Sequence, residues 1–279
     1  MVRFELHVLV LMSAFTLDGY LARIGWSGPR QPTLDTITGI LRAHMMRIPF
    51  ENLDVLLGCT VATDPDSVYT KMVERRRGGY CFEHGTLFHA AMEHLGFSPV
   101  AHTARVILLR PRHEAPQTHM FITANIDGRT FMFDPGFGGH APLVPVPLSD
   151  DLDVRDGDDV HRMVRRGDEW VLEARIDSAA VPLWTSTLAP AEPVDFVMAN
   201  HFVSTFPQSP FVTHLMLRAI TRRERVSVMN ETVTRRRDGI EEKRPLASRA
   251  ELRALLIDDF GFDLPEVERL RVPSVPGWI

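Results

Sequence analysis

The sequence predicts an α+β fold in three successive parts. A helical part runs to about residue 97, an antiparallel sheet or small barrel with a closing helix occupies 98–205, and a mixed α/β part fills 206–279. Three observations carry this. Apolar residues recur at helical spacing from Thr16 to Leu95. After Gly96 the period changes to short runs rich in β-branched and aromatic residues. Beyond residue 205, alternating runs lead into one last capped helix.

Taken in order, the helical stretches are "TLDGYLARIG", "TLDTITGILRAHMM" and "DSVYTKMVERR", with Thr33 and Asp66 placed as N-caps. "CFEHGTLFHAAMEHLG" continues the pattern, with Phe82, Leu87, Ala91 and Leu95 along one side and Gly96 as terminator. Cys81 therefore falls at or near a helix N-terminus. The strands that follow are "VAHTARVILL", "HMFITANI" and "RTFMFD", and "HRMVRRGDEWVLEARI" reads as a hairpin turning at Gly167 and Asp168. "EPVDFVMANHFVST" offers a helix with Pro193 in its first turn. "HLMLRAITR" and "RVSVMNETVTRR" alternate as strands. "SRAELRALLIDDFG" closes the chain's pattern with Ser248 as N-cap, Glu251 completing a capping box and Gly261 at its end.

The 279 residues carry 44% hydrophobic side chains, enough for a sizeable core, and a net charge of −5 that leaves no overall electrostatic footprint for nucleic acid. Small molecules are the expected partners. Two cysteines, Cys59 and Cys81, are too few for a disulfide framework and lack zinc-site spacing, so free thiols in a reducing, cytoplasmic compartment are expected, with no metal. The opening "MVRFELHVLVLMSAF" is interrupted by Glu5 and His7 and is too short to span a membrane; residues 1–14 read as an N-terminal extension.

"RRGGYCFEHG" (76 to 85) raises the chemical question. A thiolate, not a thiol, is the nucleophile, and a helix start together with Arg75, Arg76 and Arg77 would favour the anion. A catalytic cysteine also needs a histidine to take its proton and a third group to orient that histidine. His119 opens one strand and Asp134 ends the next, so pairing of the two would bring both to one end of a sheet. On spacing alone a buried structural cysteine and a Cys-His-Asp triad both stay open.

"RIPFENLD" (47 to 54), "RRGGYCFE" (76 to 83), "THM" (118 to 120), "FDPGFGG" (133 to 139) and "ANHFVSTFPQSPF" (199 to 211) resemble, in order, the signature blocks of the arylamine N-acetyltransferases of bacteria. The resemblance runs from about Phe15 to the C-terminus. It implies an N-terminal helical bundle, a central antiparallel β-barrel and a C-terminal α/β lid, with a triad like that of cysteine proteases. It implies Cys81 as nucleophile, His119 as base and Asp134 as orienting acid. Acetyl coenzyme A would be the acyl donor and an arylamine, arylhydrazine or N-hydroxyarylamine the acceptor, in a ping-pong transfer through an acetyl-cysteine. Phe50, Phe137, Phe211 and Met216 match positions that line the acceptor pocket. Gly138 and Gly139 belong, with Gly136, to a loop beside the donor. Glu51 and Arg77 match a structural ion pair, with Arg23 as a candidate third member.

Two positions depart from the family pattern: Pro135 replaces valine and removes a backbone donor beside Asp134, and Gly85 replaces asparagine inside the helix. The arginine-rich stretch from 218 to 249 is either a solvated strand face or an attractor for coenzyme A phosphates. An amide synthase of the same fold, a silent amine-binding homologue and a cysteine hydrolase stand as rival readings. The oligomeric state stays open, a homodimer included.

Overall fold

The structure is a computed structural model that describes residues 14–150, 152–176, 178–221 and 223–278. The expected N-terminal extension, apart from Ala14, and Arg222 of the basic stretch lie outside these residues. No helix among the described residues is long and apolar enough to cross a membrane.

The helical part comprises α1 (Leu17–Ile24), α2 (Leu34–Arg47), the two-residue strand β1 (Phe50–Glu51), α3 (Leu53–Leu56), α4 (Pro65–Tyr69) and α5 (Cys81–His94). Thr33 caps α2 as its sequence position suggested, its hydroxyl accepting from the Thr36 amide. Asp66 does not cap α4. Pro65 fits the first helical position, which moves the cap back to Asp64, whose carboxylate accepts from Ser67 N; Asp66 instead accepts from Ala14 N at 2.8 Å. α5 ends where Gly96 takes a left-handed φ of 85°.

Eight antiparallel strands form the second part: β2 (Pro99–Val106), β3 (Gln117–Ile126), β4 (Arg129–Phe133), β5 (Val146–Pro147), β6 (Val154–Asp156), β7 (Asp159–Arg166), β8 (Glu169–Ile176) and β9 (Ala179–Ser186). Their order, β5-β4-β3-β2-β9-β8-β7-β6, curls until β5 meets β7, giving a nearly closed barrel. Gly167 at φ 62° makes the two-residue turn between β7 and β8. Alternation along β3 sends Phe121 into the barrel with Met132, Leu172 and Trp184, while Ile122 and Phe133 face Phe88 of α5 in the helical core.

α6 (Pro193–Thr205) and α7 (Pro210–Thr213) follow the barrel. The last sheet holds β10 (Met216–Ile220), β11 (Arg225–Met229), β12 (Thr232–Arg237) and β13 (Ile240–Pro245). β1 joins its edge, with Phe50 opposite Arg218 and Glu51 opposite Leu217, so a strand of the helical part completes the C-terminal sheet. One face is covered by α8 (Arg249–Leu255) and the chain after it, burying Leu217, Val228 and Val233 against Leu252, Leu256 and Val267. The capping box expected at α8 is half formed: Ser248 Oγ accepts from Glu251 N, but the Glu251 carboxylate takes Ala247 N.

Candidate active site

Cys81 is the first residue of α5 and is buried, its sulfur 3.8 Å from the Thr118 carbonyl oxygen. Glu83 on the same first turn accepts from Tyr80 N at 3.0 Å and fixes the entry of the helix. Gly136 explains part of the glycine loop: a Cβ there would lie 2.5 Å from Cys81 Cα, so only glycine lets the loop close on the helix start.

The strand register brings the other two residues together. β3 and β4 pair up to Ile122 opposite Phe133; one step further sets Asp134 opposite Phe121, and His119 lies two residues before Phe121 on the same face. His119 Nε2 meets Asp134 Oδ2 at 2.9 Å, and Trp184 Nε1 donates to that same oxygen at 2.9 Å. This leaves Nδ1 of His119 as the nitrogen within hydrogen-bonding reach of Cys81. Burial works against the imidazolium, but the Asp134 carboxylate, aided by Cys81, outweighs it and holds the His119 pKa up at about 10. Pro135 does not disturb this arrangement, although Asp134 Oδ1 has no hydrogen-bond partner among the described residues.

Below the helix start lies a buried charge cluster. Arg77 donates through Nε and Nη2 to Glu51 Oε1 at 3.0 and 2.7 Å, and through Nη2 to Asp54 at 2.8 Å. Lys71 bridges Asp54 at 2.6 Å and Glu83 at 2.7 Å. Burial pushes Glu83 up to about 7 against the pull of Lys71. Arg23 is not a third member of this pair. Its guanidinium donates to the carbonyls of Met72, Arg47 and Arg76, so it braces the loop through backbone. Lys71, Asp54 and Glu83 had given no sign of this role in the sequence, because each reads there as an ordinary helical charge.

His84 does not reach back to Cys81. Its Nδ1 meets His44 Nε2 at 2.8 Å and its Nε2 meets the Pro49 carbonyl oxygen at 3.2 Å, tying α5 to α2 and β1. Gly85 sits buried against Met120, where a Cβ would fall 2.7 Å from the Met120 sulfur.

Phe137 sets its edge to the His119 ring at 5.2 Å, and Phe211 lies 5.0 Å from Tyr80 and 6.3 Å from Phe50. Phe50, Phe137, Gly138, Gly139, Phe211 and Met216 are each half-buried, unlike the core residues behind them, so each presents surface. Phe50, Gly138 and Gly139 line a cavity of about 190 Å³ together with Arg218. Asn52 pins the Phe211–Met216 segment, donating to the carbonyls of Phe211 and His214 and accepting from Met216 N. Asn200 of α6 accepts from the Tyr80 hydroxyl and donates to the Val61 carbonyl at 2.9 Å. Cys59 is exposed at a separate, largely apolar cavity of about 1080 Å³.

A thiol at a helix start, beside a histidine and a carboxylate at a barrel edge, is a layout that suits acyl transfer. Comparison with known proteins gives the class a name. A family model described as N-acetyltransferase matches residues 33–269. The arylamine N-acetyltransferase of Mycolicibacterium smegmatis is 36% identical over 261 residues, covering 91% of this chain and 94% of the relative. That of Escherichia coli strain K12 is 32% identical over 254 residues, covering 90% of each. Among solved structures, arylamine N-acetyltransferase from M. tuberculosis superposes with a TM-score of 0.86 at 33% identity, covering 90% and 96% of the two chains. The Mycobacterium marinum enzyme in complex with CoA gives 0.86 at 33% identity over 90% and 94%. The chain belongs to the arylamine N-acetyltransferase family of acyltransferases.

Proposed function

We propose that the protein moves the acetyl group of acetyl coenzyme A to the nitrogen of arylamines or arylhydrazines, or to the hydroxyl oxygen of N-hydroxyarylamines, in two half-reactions through an acetyl-Cys81 intermediate. The observation that carries this reading is the alignment of Cys81, His119 and Asp134, with the imidazole between thiol and carboxylate. The CoA complex of the M. marinum relative supports a coenzyme A thioester as donor.

In the first half-reaction the Cys81 thiolate attacks the thioester carbonyl carbon, and collapse of the tetrahedral adduct expels the coenzyme A thiolate, which takes the proton from His119. In the second, the acceptor nitrogen or hydroxyl oxygen attacks the acetyl-cysteine, His119 takes its proton, and the Cys81 thiolate leaves. Asp134 keeps His119 in the tautomer whose Nδ1 faces sulfur and stabilises its charged form. Glu51, Arg77 and Arg23 hold the loop that carries Cys81. The half-buried rings of Phe50, Phe137 and Phe211, with Met216, would offer apolar faces to an aromatic acceptor, and Gly138 and Gly139 belong to the loop beside the donor.

Initial rates with acetyl coenzyme A and an aminobenzoate or hydrazine test this reading. Parallel double-reciprocal lines are expected; intersecting lines would contradict a two-step transfer. Failure with acetyl coenzyme A would favour an amide synthase, and faster transfer to water than to amine a hydrolase.

A further inference from the structure

The arginine-rich stretch divides into paired and unpaired members. Arg225 pairs with Asp159, Arg235 with Glu224 and Asp259, Lys243 with Glu241, and Arg244 with Glu251. Arg218 has no carboxylate and no hydrogen-bond partner among the described residues, although it is half-buried. Burial pulls its pKa below the usual guanidinium value with no carboxylate to offset the effect. An unpaired charge withdrawn from water is costly, which makes it a natural place for an anionic ligand.

Its surroundings fit such a ligand. Arg218 lies on β10 opposite Phe50, and its side chain runs beneath the glycine loop: a Cβ on Gly139 would fall 2.8 Å from Arg218 Nε, and one on Gly138 3.6 Å away. Two bare glycines therefore receive the guanidinium. The cavity between them also holds Arg236 and His140, and Glu241, the one carboxylate among its described lining residues, is already paired with Lys243. The same loop touches Cys81 at Gly136 and Arg218 at Gly139, and three residues of extended chain span at most about 10 Å. The cationic end of the cavity thus lies one short loop from the sulfur.

We propose that Arg218 anchors the 5′-diphosphate of coenzyme A while the pantetheine arm runs past Gly138 and Gly139 toward Cys81. The assignment rests on the reading of coenzyme A thioester as donor. The diphosphate is favoured over the 3′-phosphate because it joins the pantetheine arm directly, whereas the 3′-phosphate lies a ribose further from the thioester. A planar guanidinium can bridge two of its ionised oxygens, a geometry lysine lacks.

The test is calorimetric titration of wild type, Arg218→Ala and Arg218→Lys with coenzyme A, dephospho-coenzyme A and pantetheine, alongside thermal melts. Arg218→Ala is expected to weaken coenzyme A and dephospho-coenzyme A by the same factor, about tenfold to hundredfold, and to leave pantetheine unchanged. Arg218→Lys should recover part of the loss. The melting temperature of Arg218→Ala should be unchanged or raised, because an unpaired charge is removed; Arg218→Gln serves as a second neutral variant if alanine fails to fold. A loss confined to coenzyme A would move Arg218 to the 3′-phosphate, and equal losses with pantetheine would make it a structural residue; either overturns the assignment. Unchanged binding of all three, in a protein whose wild type binds coenzyme A and takes up acetyl, overturns it alone. Wild type that does neither overturns the donor reading, and the assignment with it.

Discussion

His119 Nε2 stands 2.9 Å from Asp134 Oδ2, and this single oxygen, shared with Trp184, fixes both the position of the imidazole and the nitrogen it offers to Cys81. Asp134→Asn removes the charge that holds the imidazolium. Transfer should fall by about 10³-fold or more, with little change in fold. Alkylation of Cys81 by iodoacetamide gives an independent reading. At neutral pH it should be faster in wild type, where Asp134 holds the imidazolium beside the sulfur, than in the variant.

The pair Glu51–Arg77 predicts a stability effect. Arg77→Met leaves Glu51 fully buried with the Leu53 amide and a single cation, Lys71, 3.9 Å away, and should cost about 3 kcal/mol in urea unfolding. The double variant with Glu51→Gln should recover a large part of that loss. Equal stability of wild type and Arg77→Met would show that the pair does not brace the cysteine loop.

The buried chain Tyr20–His44–His84–Pro49 predicts acid sensitivity. Burial pushes His84 down to about 4 and holds His44 well below its ordinary value, so below about pH 6.5 the unfolded chain binds protons that the folded one refuses. Their stabilisation is complete above about pH 6.5 and falls as pH drops toward 4, by about 1.4 kcal/mol per pH unit per group. Glu83, raised to about 7, acts in the opposite sense from about pH 4.5 to 7, so the informative quantity is the difference between wild type and His84→Asn. The variant should show the shallower decline in urea midpoint between pH 7 and 5.

Gly136→Ala would place a methyl group 2.5 Å from Cys81 Cα. Transfer should drop at least a hundredfold while secondary structure survives. Gly277→Ala, where nothing lies within 4 Å, is the matched control. Similar rates for the two variants would remove the loop's close approach from the account.

Much of this site is legible in sequence for physical reasons. The helix start at Cys81 is marked by glycines before it and helical periodicity after it, and the strand bearing His119 and the one that ends just before Asp134 by β-branched and aromatic runs. What is not legible depends on contacts between distant segments. Asn52 holds backbone 159 to 164 residues away, and Asn200 reaches Tyr80 across 120 residues. β1 is two residues long, too short for any period, and finds its partner only in the folded C-terminal sheet. Asp66 does not cap its helix because Pro65 changes which residue can start it. Arg23 carries the signature of an ion-pair partner but spends its donors on carbonyls.

The most direct test is the intact mass of wild type, Cys81→Ser and Cys59→Ser after exposure to acetyl coenzyme A without amine, followed by an arylamine chase. One acetyl group on wild type and Cys59→Ser, none on Cys81→Ser, and its loss on adding amine are the predicted result. A folded wild type that gains no acetyl group, or an adduct that persists in Cys81→Ser, would contradict the account.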